Sequence, residues 1–184
     1  MKQALMARLN VPNCITCVRI LGAVFLIFIA PLSALFYVVY TVCGLSDLLD
    51  GYIARTTKTT TEFGSKLDSV ADLLFYTITI VKLLPTLWKL LPTWLWYVIG
   101  LVVFVRLTSY GVAAVKFHRF ASMHSIMNKL SSGSIFLLPY FLAIPNAATG
   151  YSLLICVISG ISSTQELVFH LKSSEYTTNI KELP

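Results

Sequence analysis

Apolar stretches close to bilayer length recur about six times along this 184-residue chain, separated by turn residues, and they leave little choice of fold. Lipid offers the backbone no hydrogen-bond partners, so a spanning stretch of about 20 residues must satisfy its own amides and become a helix. The stretches run from Val11 to Ala30, Leu32 to Asp50, Lys66 to Leu84, Trp94 to Val115, Ile126 to Ile144 and Tyr151 to Leu171. Pro31 and Ser33 follow the first, Pro85 and Pro92 bracket the gap after the third, and Pro145, Asn146 and Gly150 separate the last pair. The predicted fold is therefore all-α, a polytopic membrane protein of about six transmembrane helices. Residues 1–184 are expected to form one domain, with 1–10 as an interfacial N-terminal segment and 172–184 as a polar, poorly ordered tail. With 57% hydrophobic and only 12% charged residues, an ordinary soluble domain is excluded. The fifth stretch is diluted by Asn128, Lys129 and four serines between Ser125 and Ser134, which moves its expected membrane portion to begin near Leu130.

The lysines and arginines set an orientation, because positive charge is retained on the cytoplasmic side. Ten of the fourteen agree: Lys2, Arg8, Arg55, Lys58, Lys66, Lys116, Arg119, Lys129, Lys172 and Lys181 all fall on one side of the expected helices. Lys82 and Lys89 fall opposite, and both termini are expected in the cytoplasm. Arg19 and Arg106 lie inside apolar segments, where a guanidinium must reach the interface or find a partner. A cleaved secretory leader is not expected, since Arg19 interrupts the apolar run that one would need. The net charge of +6 suits an anchor on anionic lipid headgroups; nothing interleaves aromatics with base-reading polar residues, so a nucleic-acid surface is not expected. Cys14, Cys17, Cys43 and Cys156 lie in or near apolar segments and are read as small buried hydrophobes, without disulfides and without the further ligands that a zinc site needs.

All four aspartates, Asp47, Asp50, Asp68 and Asp72, fall within one 26-residue window. A carboxylate at the centre of a membrane helix costs roughly 3 kcal/mol, so four together require compensation. On one helix Asp47, Asp50 and Ala54 are spaced i, i+3, i+7 and share a face with Gly51; on the next, Asp68 and Asp72 are spaced i, i+4. Two adjacent antiparallel helices can thus aim four carboxylates at one point, a set of hard oxygen ligands suited to Mg²⁺ or Mn²⁺. Gly51 and Ala54 remove bulk beside that point, and Arg55 offers a planar fork to phosphate or carboxylate. Thr56 to Thr61 is read as the solvated turn between the two helices.

This run resembles, at every position, the signature of the CDP-alcohol phosphotransferase family, D-x2-D-G-x2-A-R-x8-G-x3-D-x3-D. The resemblance implies transfer of a substituted phosphate from a CDP-linked donor to an alcohol, with release of CMP, on a six-helix membrane fold that commonly forms homodimers. It also implies that Asp47, Asp50, Asp68 and Asp72 hold metal, in all expectation two ions, that Asp72 acts as general base, and that Gly51, Ala54, Arg55 and Gly64 receive the cytidine diphosphate. The first helix opens Asn10-Val-Pro12-Asn13-Cys-Ile-Thr16-Cys-Val-Arg19, similar to the phosphatidylglycerophosphate synthase and cardiolipin synthase branches, although Pro12 and Asn13 also suit a simple helix start.

Acceptor recognition is expected on the fourth and fifth segments, where Arg106, Lys116, His118, Arg119, His124 and Lys129 gather cationic donors. Arg106 and Lys129 are the candidate acceptor-binding pair, because Lys116 and Arg119 are equally explained by the charge rule. His118, His124 and His170 are expected at the interface. The leading reading is a lipid-synthesis enzyme using CDP-diacylglycerol and glycerol 3-phosphate, in a bacterial inner membrane, with its site facing the cytoplasm. Phosphatidylglycerol, inositol phosphate or serine are the alternative acceptors. A small cation transporter is the alternative class, disfavoured because an ion path needs no Gly51, Ala54, Arg55 and Gly64 at these spacings and would not confine carboxylates to one end.

Overall fold

The computed structural model describes residues 11–56, 61–117, 126–144 and 146–172, and every element in them is helical. Six helices follow one another: α1 (Val11–Leu26), α2 (Ala34–Thr56), α3 (Glu62–Leu90), α4 (Thr93–Phe117), α5 (Ile126–Leu142) and α6 (Ala147–Lys172). The expectations for the N-terminal segment, for residues 57–60, for His118, Arg119 and His124, for Pro145 and for the tail beyond Lys172 lie outside the described residues. Among the described residues, Lys66–Leu90, Thr93–Lys116 and Ala147–Lys172 are long and apolar enough to cross a membrane, whereas the apolar parts of α1 and α2 are shorter. The chain divides into two compact units, Met1–Trp88 and Lys89–Pro184.

Among the described residues many large apolar side chains face outward, while polar and charged groups share the interior with an apolar core. Leu21, Phe28, Leu73 and Val115 are 69–80% exposed, while Arg19, Asp50, Asn128, Glu166 and His170 are buried. Such a distribution suits lipid as the surrounding solvent, since polar groups then gain by facing one another.

In the first unit, α1 tightens after Leu26 into i→i−3 hydrogen bonds, Ile27 to Val24, Phe28 to Phe25 and Ile29 to Leu26. The chain reverses through Leu32 at φ 60°. Ser33 then caps α2, its Oγ accepting from the Phe36 amide at 3.2 Å and donating to the Ala30 carbonyl at 2.8 Å. Lys82 of α3 donates to the Ile27 carbonyl at 2.8 Å, so a cation satisfies the end of α1. Phe36, Tyr40 and Phe75 stack in series, with centroids 5.6 and 5.2 Å apart, and tie α2 to α3.

One expectation about the helices needs correction. Pro85 does not end the third helix but lies inside α3, which continues to Leu90. A proline forfeits one helical hydrogen bond, and a long apolar helix without water competing for its backbone can absorb that loss. His170, near the end of α6, is fully buried within the protein, with Nδ1 3.2 Å from the Ser109 hydroxyl.

In the second unit, α6 packs against both α4 and α5. Two of the polar residues that dilute the fifth stretch, Asn128 and Ser131, contact α6, whereas the hydroxyls of Ser132 and Ser134 donate to carbonyls of their own helix. Ser131 and Ser159 are hydrogen-bonded at 2.6 Å, and Ser162 donates to the Asn128 side-chain oxygen at 2.5 Å. Small hydroxyl residues allow close helix approach and hydrogen-bond across it. Phe141 stacks on Tyr151, whose hydroxyl donates to the Ser134 carbonyl at 3.0 Å. Lys116 closes the end of α6 by donating to the carbonyls of His170 and Leu171.

The α1–α2 contact depends on Gly22, where an added Cβ would stand 2.5 Å from the Cys43 sulfur. Gly22→Val is expected to destabilise the protein by about 1–3 kcal/mol through this overpacking. Thermal unfolding in detergent checks this, and an unchanged midpoint would mean that the two helices separate without cost.

Candidate active site

The four aspartates converge as the spacing predicts. Asp47 and Asp50 project from α2, and Asp68 and Asp72 from α3. One oxygen each of Asp47, Asp50 and Asp68 lies within 4.8 Å of the others, a donor set of hard oxygens that fits a divalent cation. Gly51, Ala54 and Arg55 continue α2 beyond Asp50, and Gly64 lies near the start of α3.

The residue that sequence reasoning missed is Arg19. It enters from α1, fully buried, and contacts all four carboxylates. Its Nη1 is 2.9 Å from Asp47 Oδ1, 3.0 Å from Asp68 Oδ1 and 2.5 Å from Asp72 Oδ1, while Nη2 pairs with Asp50 Oδ2. Nε points to the Ser46 hydroxyl at 3.4 Å, and Ser46 in turn donates to the Cys43 carbonyl at 2.7 Å. Thr16, one turn earlier on α1, donates to Asp50 Oδ2 at 3.0 Å. The sequence did carry a signal, because Asn13, Thr16 and Arg19 recur every three residues in an otherwise apolar helix, and all three are buried.

Burial grades across the site. The Asp50 side chain is 4% exposed, whereas those of Asp47, Asp68 and Asp72 are 37–43% exposed. Arg19, Thr16, Ser46 and Asp50 thus form a closed floor, and the other three carboxylates form a rim open to ligands. One guanidinium opposes four carboxylates, so the ionised cluster carries a net formal charge of −3. Carboxylates this close require further cations or protons, and an open rim admits either.

Gly64 has a packing role beside any contact with substrate. A Cβ there would meet Asn13 Oδ1 at 2.6 Å and Thr61 Oγ1 at 3.0 Å, so the bare backbone lets α1 and α3 meet next to the aspartates. Asn13, read from sequence as part of the helix start, is buried at this contact. The Thr61 hydroxyl accepts from the Gly64 amide at 3.0 Å and caps the first turn of α3.

The candidate acceptor residues lie in the second unit. Arg106 donates to the Tyr110 hydroxyl at 3.1 Å and the Ser163 hydroxyl at 3.3 Å, its guanidinium carbon 5.6 Å from the centre of the Tyr110 ring. Lys129 is exposed on α5. All four cysteines are free thiols; Cys43 and Cys156 are buried, but Cys14 and Cys17, expected to be buried, are exposed on α1.

Comparison with known proteins agrees with the signature. The profile of the CDP-alcohol phosphatidyltransferase family matches residues 9–162, a span that includes Arg19, all four aspartates and the glycines between them. The chain belongs to that family and is an integral membrane protein. Among curated proteins it is 34% identical over 94 residues to a CDP-diacylglycerol–glycerol-3-phosphate 3-phosphatidyltransferase of Wigglesworthia glossinidia brevipalpis, covering 47% of this chain and 52% of that one. It is 36% identical over 92 residues to the protein of the same name from Pseudomonas fluorescens, covering 46% and 47%. A third, from Haemophilus influenzae, is 31% identical over 93 residues, covering 46% and 50%. The chain spans about half the length of the curated relatives it matches. No solved structure matches it significantly.

The Asn13–Gly64 contact generates a reciprocal test. Gly64→Ala alone is expected to destabilise by about 1–3 kcal/mol, and Asn13→Ala in the same chain should recover a large part of that loss. Additive losses in thermal unfolding would show that the two residues do not share this contact.

Proposed function

We propose that this protein transfers the phosphatidyl group of CDP-diacylglycerol to an alcohol, with glycerol 3-phosphate as the leading acceptor, releasing CMP. The observation that carries the reading is the convergence of four signature aspartates from two helices on one open-rimmed site. The names of the three relatives support glycerol 3-phosphate over phosphatidylglycerol, inositol phosphate and serine. The apolar exterior supports a lipid donor, since its acyl chains can stay in the bilayer while the headgroup reaches the carboxylates.

Asp47, Asp50, Asp68 and Asp72 would hold two divalent ions, Mg²⁺ or Mn²⁺, whose chemistry is to neutralise pyrophosphate oxygens and the departing CMP. Asp72, on the exposed rim, is assigned to take the proton of the acceptor hydroxyl as it attacks phosphorus. Asp50, on the buried floor with Thr16, fixes the geometry from below. Gly51, Ala54, Arg55 and Gly64 are assigned to the cytidine diphosphate, the first two by lack of bulk and Arg55 by its fork of donors. Arg106 and Lys129 are assigned to the phosphate of the acceptor. We place the site and both termini on the cytoplasmic side of a bacterial inner membrane, where nucleotide and metal are available, and read the working form as a single-domain homodimer.

CMP release by purified protein with CDP-diacylglycerol and Mg²⁺ tests this reading across the five acceptors glycerol 3-phosphate, phosphatidylglycerol, inositol 1-phosphate, inositol and serine. Glycerol 3-phosphate alone should support turnover, and turnover with another acceptor alone would replace it. Asp68→Asn and Asp72→Asn should each lower turnover by at least about a hundredfold while the protein stays folded in the membrane. Wild-type rates in both would refute the assigned chemistry. A chelator should abolish the reaction, with recovery on Mg²⁺ or Mn²⁺ but not Ca²⁺, as the smaller octahedral ions require. Ala54→Leu should weaken donor binding by about tenfold or more and leave metal binding intact; unchanged donor affinity would remove Ala54 from the nucleotide site.

A further inference from the structure

Arg19 holds the place at which a cation bound by the aspartates would have to sit. Its Nη1 lies 2.5–3.0 Å from an oxygen on each of Asp47, Asp68 and Asp72, and two of those residues belong to the carboxylate trio whose oxygens come within 4.8 Å of one another. A magnesium ion binds oxygen at about 2.0–2.1 Å, so an ion held by the same carboxylates would occupy space next to or within that of Nη1. Two positive groups cannot share it without repulsion. The hydrogen-bond inventory points the same way: Nη1 has two hydrogens and three carboxylate partners, so the acceptors outnumber the donors.

The other end of the guanidinium is anchored differently. Nη2 and Nε face Asp50 and Ser46 on the buried floor, where Asp50 also receives Thr16. Because the guanidinium is planar and rigid, Nη1 can leave the rim only if the whole group shifts, which loosens the Ser46 and Asp50 contacts at the same time.

We infer that Arg19 is the built-in counter-cation of the metal site: its guanidinium gathers the four aspartates into one cluster, and divalent cations must displace it from the rim carboxylates to bind. The inference rests on the metal-binding role proposed above and adds a residue outside the signature that sets metal affinity. Arg19 acts through the aspartates and is a positioning residue. Removing it deletes one positive charge and the occupant of the rim, and both changes favour an incoming cation.

Mn²⁺ binding to the full-length protein in nanodiscs, followed by electron paramagnetic resonance without substrates, tests the inference. Arg19→Met should bind Mn²⁺ about tenfold more tightly than wild type. Arg19→Lys, which keeps the charge, should stay within about threefold of wild type. Equal or weaker binding by Arg19→Met would overturn the competition and leave the metal site itself standing. Absence of Mn²⁺ binding by the folded wild type and by both variants would overturn the metal-binding role and this inference with it. Should Arg19→Met not fold, the wild type gives the answer by itself: the Nε–H resonance of Arg19 should shift on titration with Mg²⁺ and return on chelation, and a resonance indifferent to saturating Mg²⁺ would contradict displacement.

Discussion

The ion pairs of Arg19 with four aspartates are the interaction on which the first unit depends. They join three helices whose outer surfaces are apolar and gain little from packing on one another in lipid. Asp50 is buried, and with Arg19 absent it would be an uncompensated charge in a low-dielectric interior. The hydrogen bond from Thr16, the contact with Ser46 and the missing side chain of Gly64 all serve to bring α1 close enough for the guanidinium to reach.

The same interaction leaves part of the site open while holding the rest closed. One positive charge against four carboxylates leaves the rim negative and open, while the floor is closed and satisfied. Cations entering from the rim would complete the neutralisation that Arg19 begins. A donor carrying a pyrophosphate would meet them there with its apolar tail still in the bilayer. The family's profile spans Arg19 and all four aspartates.

The aspartate cluster was legible because its information is local: spacings of three and four residues place side chains on one face of a helix whatever else the chain does. The helical class was legible for the same reason, from apolar stretches bounded by turn residues. Arg19 was legible only as a problem, a guanidinium in an apolar helix, because no spacing connects position 19 to positions 47–72; packing makes that connection. Pro85 reads as a break by propensity, yet α3 absorbs it. Asn128 and Ser131 of α5 read as dilution of a membrane segment, and their value appears only when α6 supplies Ser162 and Ser159 as partners. His170 falls in the same group, since burial against Ser109 depends on a helix some sixty residues away in sequence.

A double-mutant cycle between Arg19 and Asp50, read as unfolding free energy in detergent with chelator present, tests the central interaction most directly. Arg19→Met and Asp50→Asn should each destabilise the protein, Arg19→Met by about 3–5 kcal/mol as expected when a buried ion pair loses one partner. The double variant should lose less than the two single losses together by about 1–3 kcal/mol, because neither partner is then left buried with an unmatched charge. Strictly additive losses would contradict the account, since Arg19 and Asp50 would then stabilise the helices independently.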